Sequence, residues 1–227
     1  MSRARGARNL VVDDTSSKRQ AGGRTQEANQ NDRTILEAAR EVFVANPQAP
    51  IAEVAERAGV GMAALYRRYP SKEHLLATLC ANGQRVYIEE TQTALADPAP
   101  PFEAYAGFLR RIVARDTHAL SSRLAGTFRP TQIHAELGER LESLGDKLFR
   151  RTRASGAMRG DVTSLDVGLM LEGIAQVRLG DAERTSEIRQ RLVTLVIEAL
   201  RAGPTTRLPG KPPTWQEQNA RWIPPRG

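Results

Sequence analysis

The stretch IAEVAERAGVGMAALYRRYPSKEHLL, residues 51–76, leaves its backbone few options. Ile51, Val54, Ala55 and Ala58 fall at i, i+3, i+4 and i+7, one apolar face of a short helix. Gly59 can take the left-handed conformation that closes a helix without a Cβ penalty. Val60 plugs the turn, and Gly61 lets the chain resume helix at Met62. A second helix, Met62 to Tyr69, keeps Leu65 inward and carries Arg67 and Arg68. Pro70 stops it, and Ser71 followed by Glu73 marks another helix start. This is the grammar of a helix-turn-helix, with a second helix sized for the DNA major groove.

The run AERAGVGMAALYRRYPSKEHLL resembles the DNA-binding signature of the TetR family of transcriptional repressors. TILEAAREVFVAN, with Ile35, Leu36, Ala39 and Phe43 on one face, resembles the first helix of that domain, so the likeness spans residues 32–76. Two positions depart from the pattern. Ala63 and Ala64 stand where relatives often carry Gly-Thr, which removes a hydroxyl contact to DNA; Pro50 replaces a usual Thr cap, a change that suits a helix start. Both bear on the operator sequence rather than on the motif. The resemblance implies that Tyr66, Arg68 and Lys72 grip the phosphate backbone. It also implies that a C-terminal cavity binds a small molecule which changes the spacing of two heads, and that the last two helices pair with their mates in a four-helix dimer interface.

Beyond the motif, apolar residues recur at helical spacing from Phe102 to Gly203 and no stretch alternates as a strand does, so the fold is expected to be all-α. A long helix from Ser71 to Ala96 is broken by Asp97-Pro98-Ala99-Pro100-Pro101. Others are expected at 102–118, Ser121–Phe128, Thr131–Ala157, Ser164–Leu179 and Ala182–Ala202. The last two are apolar over more than one face, which suits either central helices of a monomeric bundle or a surface shared with a second copy. A homodimer is preferred, because one short recognition helix reads few bases while two heads about 34 Å apart read a palindrome. The division expected is a flexible basic arm (1–30), a three-helix DNA-binding domain (31–76), a helical ligand-binding and dimerisation domain (77–203) and a Pro-rich basic tail (204–227).

The net charge of +7 lies at the two ends. Residues 1–30 hold six Lys/Arg against three Asp/Glu and residues 201–227 five against one, which leaves 31–200 neutral. Basic tails suit a polyanionic partner, although solubilising disorder accounts equally for them. An N-terminal arm beside a helix-turn-helix can enter the adjacent minor groove, with Arg19 and Arg24 in reach. Trp215, Trp222 and Ile223 are unusual for a disordered tail and are expected to pack back on the body or to meet a partner.

Candidate DNA contacts follow from position. Gly61, Met62, Ala63 and Ala64 open the recognition helix and face base edges, where Met and Ala offer only apolar contacts, as to a thymine methyl group. Arg67 and Arg68 suit guanine or phosphate. Thr34, at the start of the first helix, offers a hydroxyl and a backbone N–H to a phosphate. For Tyr66 the alternative is core packing beneath the helix. The cavity implied by the resemblance is expected among Tyr105, Phe108, Leu109, Ile112, Leu124, Phe128, Ile133, His134, Leu137, Met170, Leu171 and Ile174, any of which could equally be plain core. Tyr105, His134, Arg123 and Arg178 would orient a ligand that is mostly apolar, with an acidic or hydroxyl group.

Enzyme chemistry finds no foothold. His74, His118 and His134 are scattered with no HExxH pattern, and neither a glycine-rich phosphate loop nor GxSxG occurs. Cys80 is the single cysteine, so no internal disulfide and no cysteine-based zinc site can form, and neither metal nor cofactor is expected. No apolar run is long enough for a bilayer and the N-terminus lacks an apolar signal region, so the expectation is a cytoplasmic protein without membrane contact. Two other readings are a ligand-independent architectural DNA-binding dimer and a helical protein-interaction module. Deleting residues 1–25 is expected to weaken operator binding in a gel-shift titration; unchanged affinity would remove the arm from the interface.

Overall fold

Gly59 sits in the left-handed region at φ 65° and ψ 30°, and there it ends α2 (Ile51–Ala58). The computed structural model describes residues 14–116, 124, 126–204 and 206–220. α3 (Met62–Arg68) follows after Gly61 and is one residue shorter than expected. Tyr69 turns to extended backbone at φ −126°, because the Pro70 ring disfavours helical geometry in the residue before it. Ser71 caps α4 (Lys72–Ala96) by accepting the backbone N–H of His74.

α1 (Asp14–Ala45) begins far upstream of the expected first helix. The arm without regular structure is therefore corrected for residues 14–30, and residues 1–13 lie outside those described. Extending a helix already nucleated by packing is cheap compared with starting one, which outweighs the Gly22-Gly23 pair.

The body comprises α5 (Pro101–Ala114), α6 (Gln132–Ala154), α7 (Ser164–Gln176) and α8 (Ala182–Leu200), with a short α9 (Trp215–Ala220) in the tail. Of the expected Ser121–Phe128 helix, residues 121–123 and 125 lie outside those described, and 126–128 form a turn instead of its last part. Among the described residues no strand forms, only an isolated bridge between Met158 and Arg201, and the fold is all-α. No helix among them is long and apolar enough to cross a membrane.

Two apolar cores result. One gathers Phe43, Val54, Leu65, Tyr69, Leu75 and Leu79 from the four N-terminal helices. The other joins Phe102, Tyr105, Leu109, Leu148, Leu171 and Ile197 across the body. Leu124, Phe128 and Ala175 belong to the first core although they come from the body's part of the chain. α4 packs on α1 at one end and on α5 and α6 further along. At its C-terminus Arg151 donates to the carbonyls of Ala94 and Leu95, a cation placed against orphan helix acceptors.

A second tie between head and body is ionic. Asp116 adopts φ 51°, which few non-glycine residues tolerate and which Asp tolerates better than most. Its carboxylate meets buried Arg189 of α8 at 2.9 Å and Arg40 of α1 at 3.8 Å. Arg189 also donates to the carbonyls of Ala175 and Val177, so α8, the end of α7 and the end of α5 share one guanidinium. Arg189→Met is expected to lower unfolding free energy by about 3 kcal/mol, read from the urea midpoint, because a part-buried carboxylate loses its closest cation.

Candidate nucleic-acid interface and ligand cavity

α3 turns Leu65 fully inward and leaves Met62, Ala63, Tyr66 and Arg67 on its outer face, the i, i+1, i+4, i+5 pattern of one helix side. Tyr66 is 45% exposed, so the buried aromatic of this motif is Tyr69, at 2%. Ala64 is half-buried against the head. Arg67 is exposed and has no ion pair among the described residues.

Arg68 is placed differently. Its Nε and one terminal nitrogen donate to the two carboxylate oxygens of Asp32 at 2.8 and 3.1 Å, and the Tyr69 hydroxyl donates to the same carboxylate. The Arg68 hydrogen bonds hold the Asp32 carboxyl below the usual carboxylate range; burial together with the Asp32 contact pushes the Tyr69 phenol up. The fork of Arg68 is thus engaged within the protein. A bidentate contact to guanine is excluded in this arrangement, and its remaining N–H groups can still meet a phosphate.

Lys72 donates to the Ala49 carbonyl at 2.7 Å, with its ammonium 5.2 Å from the centre of the Phe43 ring, so it latches α4 to the loop before α2. Thr34 lies well inside α1, where its backbone N–H belongs to the helix ladder. The expected phosphate contact through that N–H is corrected, and its hydroxyl donates to Gln30. Asp32, which positions Arg68 and Tyr69, was missed because its signal is tertiary: nothing in its neighbours in sequence marks it.

A cavity of about 500 Å³ opens between α4, α5, α6, α7 and α9. Tyr105, Phe108, Leu109, Phe128, His134 and Leu171 line it, as expected of a cavity. The other candidates do not. Leu124 is packed in the head core, Ile112 and Ile174 in the body core, and Met170 rests against the latter. Leu137 is half-buried away from the lining, Ile133 is 45% exposed, and exposed Arg178 donates to the carbonyls of Ala175 and Val177. Arg123 lies outside the described residues. The physical reason is that a Leu and Phe stripe fills space, while a cavity forms where side chains are missing.

Missing side chains are what this lining shows. Gly83 of α4, Gly138 and Gly145 of α6 and Gly168 of α7 all border the cavity, and a Cβ on Gly145 or Gly168 would meet nothing within 4 Å. α4 contributes Cys80, Gly83, Gln84 and Tyr87, one helical face. Burial pushes the Cys80 thiol up to about 11 and the Tyr87 phenol up to about 12, and moves Tyr105 in the same direction, so these three groups stay neutral near pH 7. Tyr87 meets Phe108 edge-on at 5.3 Å, and Phe108 and Phe149 flank Tyr105.

Both nitrogens of His134 are committed: Nδ1 accepts the Thr131 N–H and Nε2 lies 2.9 Å from the Ala77 carbonyl. Its ring rests 5.2 Å from that of Phe128. It shapes the wall and does not orient a ligand by hydrogen bonding, a correction to the expectation. Carboxylates were missed altogether: Glu139, Glu142, Asp146 and Glu172 border the cavity, and among the described residues no Lys or Arg does.

The tail closes one side. Trp215 and Gln218 line the cavity, Gln218 donating to Glu172 at 3.1 Å. Thr214 and Glu217 cap α9 reciprocally, and Leu208 is anchored by its N–H to Asp161. Trp215 therefore packs back on the body; Trp222 and Ile223 lie outside the described residues. Gly145→Ala is expected to raise stability by roughly 0.5–1 kcal/mol in thermal unfolding, since it removes a mid-helix glycine at no steric cost.

Residues 35–79 match the family model of bacterial regulatory proteins of the tetR family, and residues 100–202 match that of the SbtR-like transcriptional regulator C-terminal domain. The chain is 32% identical over 142 residues to the HTH-type transcriptional regulator NfxB of Pseudomonas aeruginosa, covering 59% of this chain and 73% of that one. A TetR transcriptional regulator of Streptomyces coelicolor superposes with TM-score 0.53 at 28% identity, over 74% of this chain and 97% of that one. A TetR regulatory protein of Mycobacterium vanbaalenii shares the fold, with TM-score 0.55 at 24% identity over 78% and 99%. With an exposed recognition helix at one end and a lined cavity at the other, the chain belongs to the TetR family of DNA-binding transcriptional regulators.

Proposed function

We propose that the protein is a homodimeric repressor that binds a palindromic operator and leaves it when a small, mostly apolar molecule occupies the cavity. The observation that carries this reading is Phe128. It is buried in the head core and borders the cavity, so one ring touches both sites. Beside it, Arg129 donates its N–H to Glu73 at the start of α4, and His134 holds Ala77 one turn further on. A ligand that moves the Phe128 ring disturbs the base of α4 and thereby the tilt of the head. Coupling of this type amounts to about 1–3 kcal/mol, or 5- to 150-fold in affinity. A solid body would have favoured an architectural dimer, and the cavity weighs against it.

The dimer reading rests on α7 and α8. Leu169 and Leu195 are 41% and 62% exposed, with Met170, Leu192 and Val196 half-buried beside the body core. Such an outward apolar face suits the same face of a second copy. On phosphate, Tyr66 and the spare N–H groups of Arg68 are the contacts; Arg67 and the apolar Met62 and Ala63 face the groove.

A footprint on the DNA upstream of the gene, with salt titration, tests both halves. A symmetric footprint and a steep salt slope are expected, and Arg67→Ala is expected to cost about 1–3 kcal/mol of operator affinity and to relax the base preference at one position of each half-site. Leu195→Glu is expected to yield a monomer in analytical ultracentrifugation and to lose the symmetric footprint. Equal weak binding to every sequence by the parent protein would sink the repressor reading.

A further inference from the structure

The match to the C-terminal family model ends at residue 202, yet part of the cavity wall comes from the segment that follows. That segment is fastened first at its root. Arg159 and Asp161, paired at 2.7 Å, grip its backbone from both sides: Arg159 donates to the Thr206 carbonyl at 2.8 Å, and Asp161 accepts the Leu208 N–H at 2.9 Å. Residues 206–212 then run exposed and bend at Gly210, whose φ of 76° lies in the left-handed region. The tip, α9, comes to rest on the cavity. Trp215 and Gln218, at i and i+3, are half-buried against it, while Gln216 and Glu217 between them are exposed. Among the described residues none beyond Leu200 belongs to either apolar core. Lifting α9 therefore uncovers the cavity without opening either core. A helix of six residues also has little stability of its own, so it depends on its seat and on its cap.

We propose that residues 204–220 form a hinged flap, whose tip α9 lifts from the cavity to admit a ligand and reseats behind it. The root at Arg159 and Asp161 keeps the flap beside its seat, and the bend at Gly210 gives the tip an axis to swing on. Trp215 supplies the apolar inner surface, and Gln218 fastens the tip to Glu172 of α7. Elements that open for ligands are drawn from the least firmly packed parts of a fold, and α9 stands outside both cores. As a gate for an effector the flap rests on the reading of the cavity as the effector site, and it adds a kinetic control to that site. Passage under α9 then limits entry and exit alike, whereas a fixed wall would alter only how long a ligand stays.

Thr214→Ala combined with Glu217→Ala tests the gate in the full-length protein. Both side chains are exposed and neither borders the cavity, so the variant breaks the cap of α9 and leaves every wall residue in place. An N-cap is ordinarily worth about 2- to 30-fold in a helix equilibrium. Two readouts follow the opening. Cys80, the single cysteine, is buried and borders the cavity, so its alkylation by N-ethylmaleimide, read by mass spectrometry, reports access with no ligand present. The neutral apolar dye N-phenyl-1-naphthylamine, followed by stopped-flow fluorescence, reports entry and exit. Alkylation, dye association and dye dissociation are all expected to quicken within that range in the variant, and by more in a chain ending at Gly203; circular dichroism and the thermal midpoint check folding. Unchanged alkylation in both altered chains overturns the flap. Unchanged dye association overturns it as well, even where dissociation is faster, and leaves α9 a wall without a gate. If the dye binds none of the chains while Cys80 still reacts faster in the altered ones, the flap is upheld and the reading of the cavity as the site of an apolar effector is what fails.

Discussion

Helix α4 is anchored in two apolar cores at once, and much of the molecule's organisation depends on that. Leu75, Leu76 and Leu79 bury one end in the head; Ala94, with Tyr87 and Leu95 against it, buries the other in the body. At about 1.5 Å per residue its 25 residues form a rod about 37 Å long. Neither end can slide without exposing apolar surface. Between the anchors, the face carrying Cys80, Gly83, Gln84 and Tyr87 borders the cavity instead of packed core. The helix that joins the head to the body is also a wall of the cavity.

That the cavity exists at all runs against the usual close packing of interiors. Gly145 of α6 and Gly168 of α7 leave gaps that a larger side chain would fill, and each mid-helix glycine gives up about 1 kcal/mol of helix propensity. A chain selected for stability alone would place Leu at such positions, as it does at Leu148 on the buried side of α6. The hollow is thus set by omission, which costs helix propensity and leaves room for an occupant.

The polar ties work on a different principle from the cores. Asp32 holds Arg68 and Tyr69, and so fixes the end of the recognition helix against α1. Lys72 holds the loop before α2. Asp116, in its left-handed conformation, joins Arg40 of the head to Arg189 of the body. Apolar packing tolerates small shifts, whereas a forked ion pair has one good geometry. These contacts therefore define the register of the head more sharply than the cores can.

Local chemistry made the helix-turn-helix legible. The stripe of Ile51, Val54 and Ala55, the left-handed Gly59, the stop at Pro70 and the cap at Ser71 each act within one turn of helix, where sequence and conformation are directly linked. The all-α body was legible for the same reason, through helical periodicity. The site was legible only in part. Tyr105, Phe108, Phe128 and Leu171 were found because aromatic and aliphatic residues mark any interior, but the same rule also proposed Leu124, Ile112 and Ile174, which are solid core. The continuation of α1 back to Asp14 had no capping or apolar signal to announce it. What the sequence by itself determined was most of the helices between Ile35 and Leu200 and where the turn between α2 and α3 lies, since both depend on neighbours a few residues apart. Only the tertiary structure decided which apolar residues border a space, which carboxylates meet there, and which arginine is already held by Asp32, because those depend on groups that the sequence separates by dozens of residues.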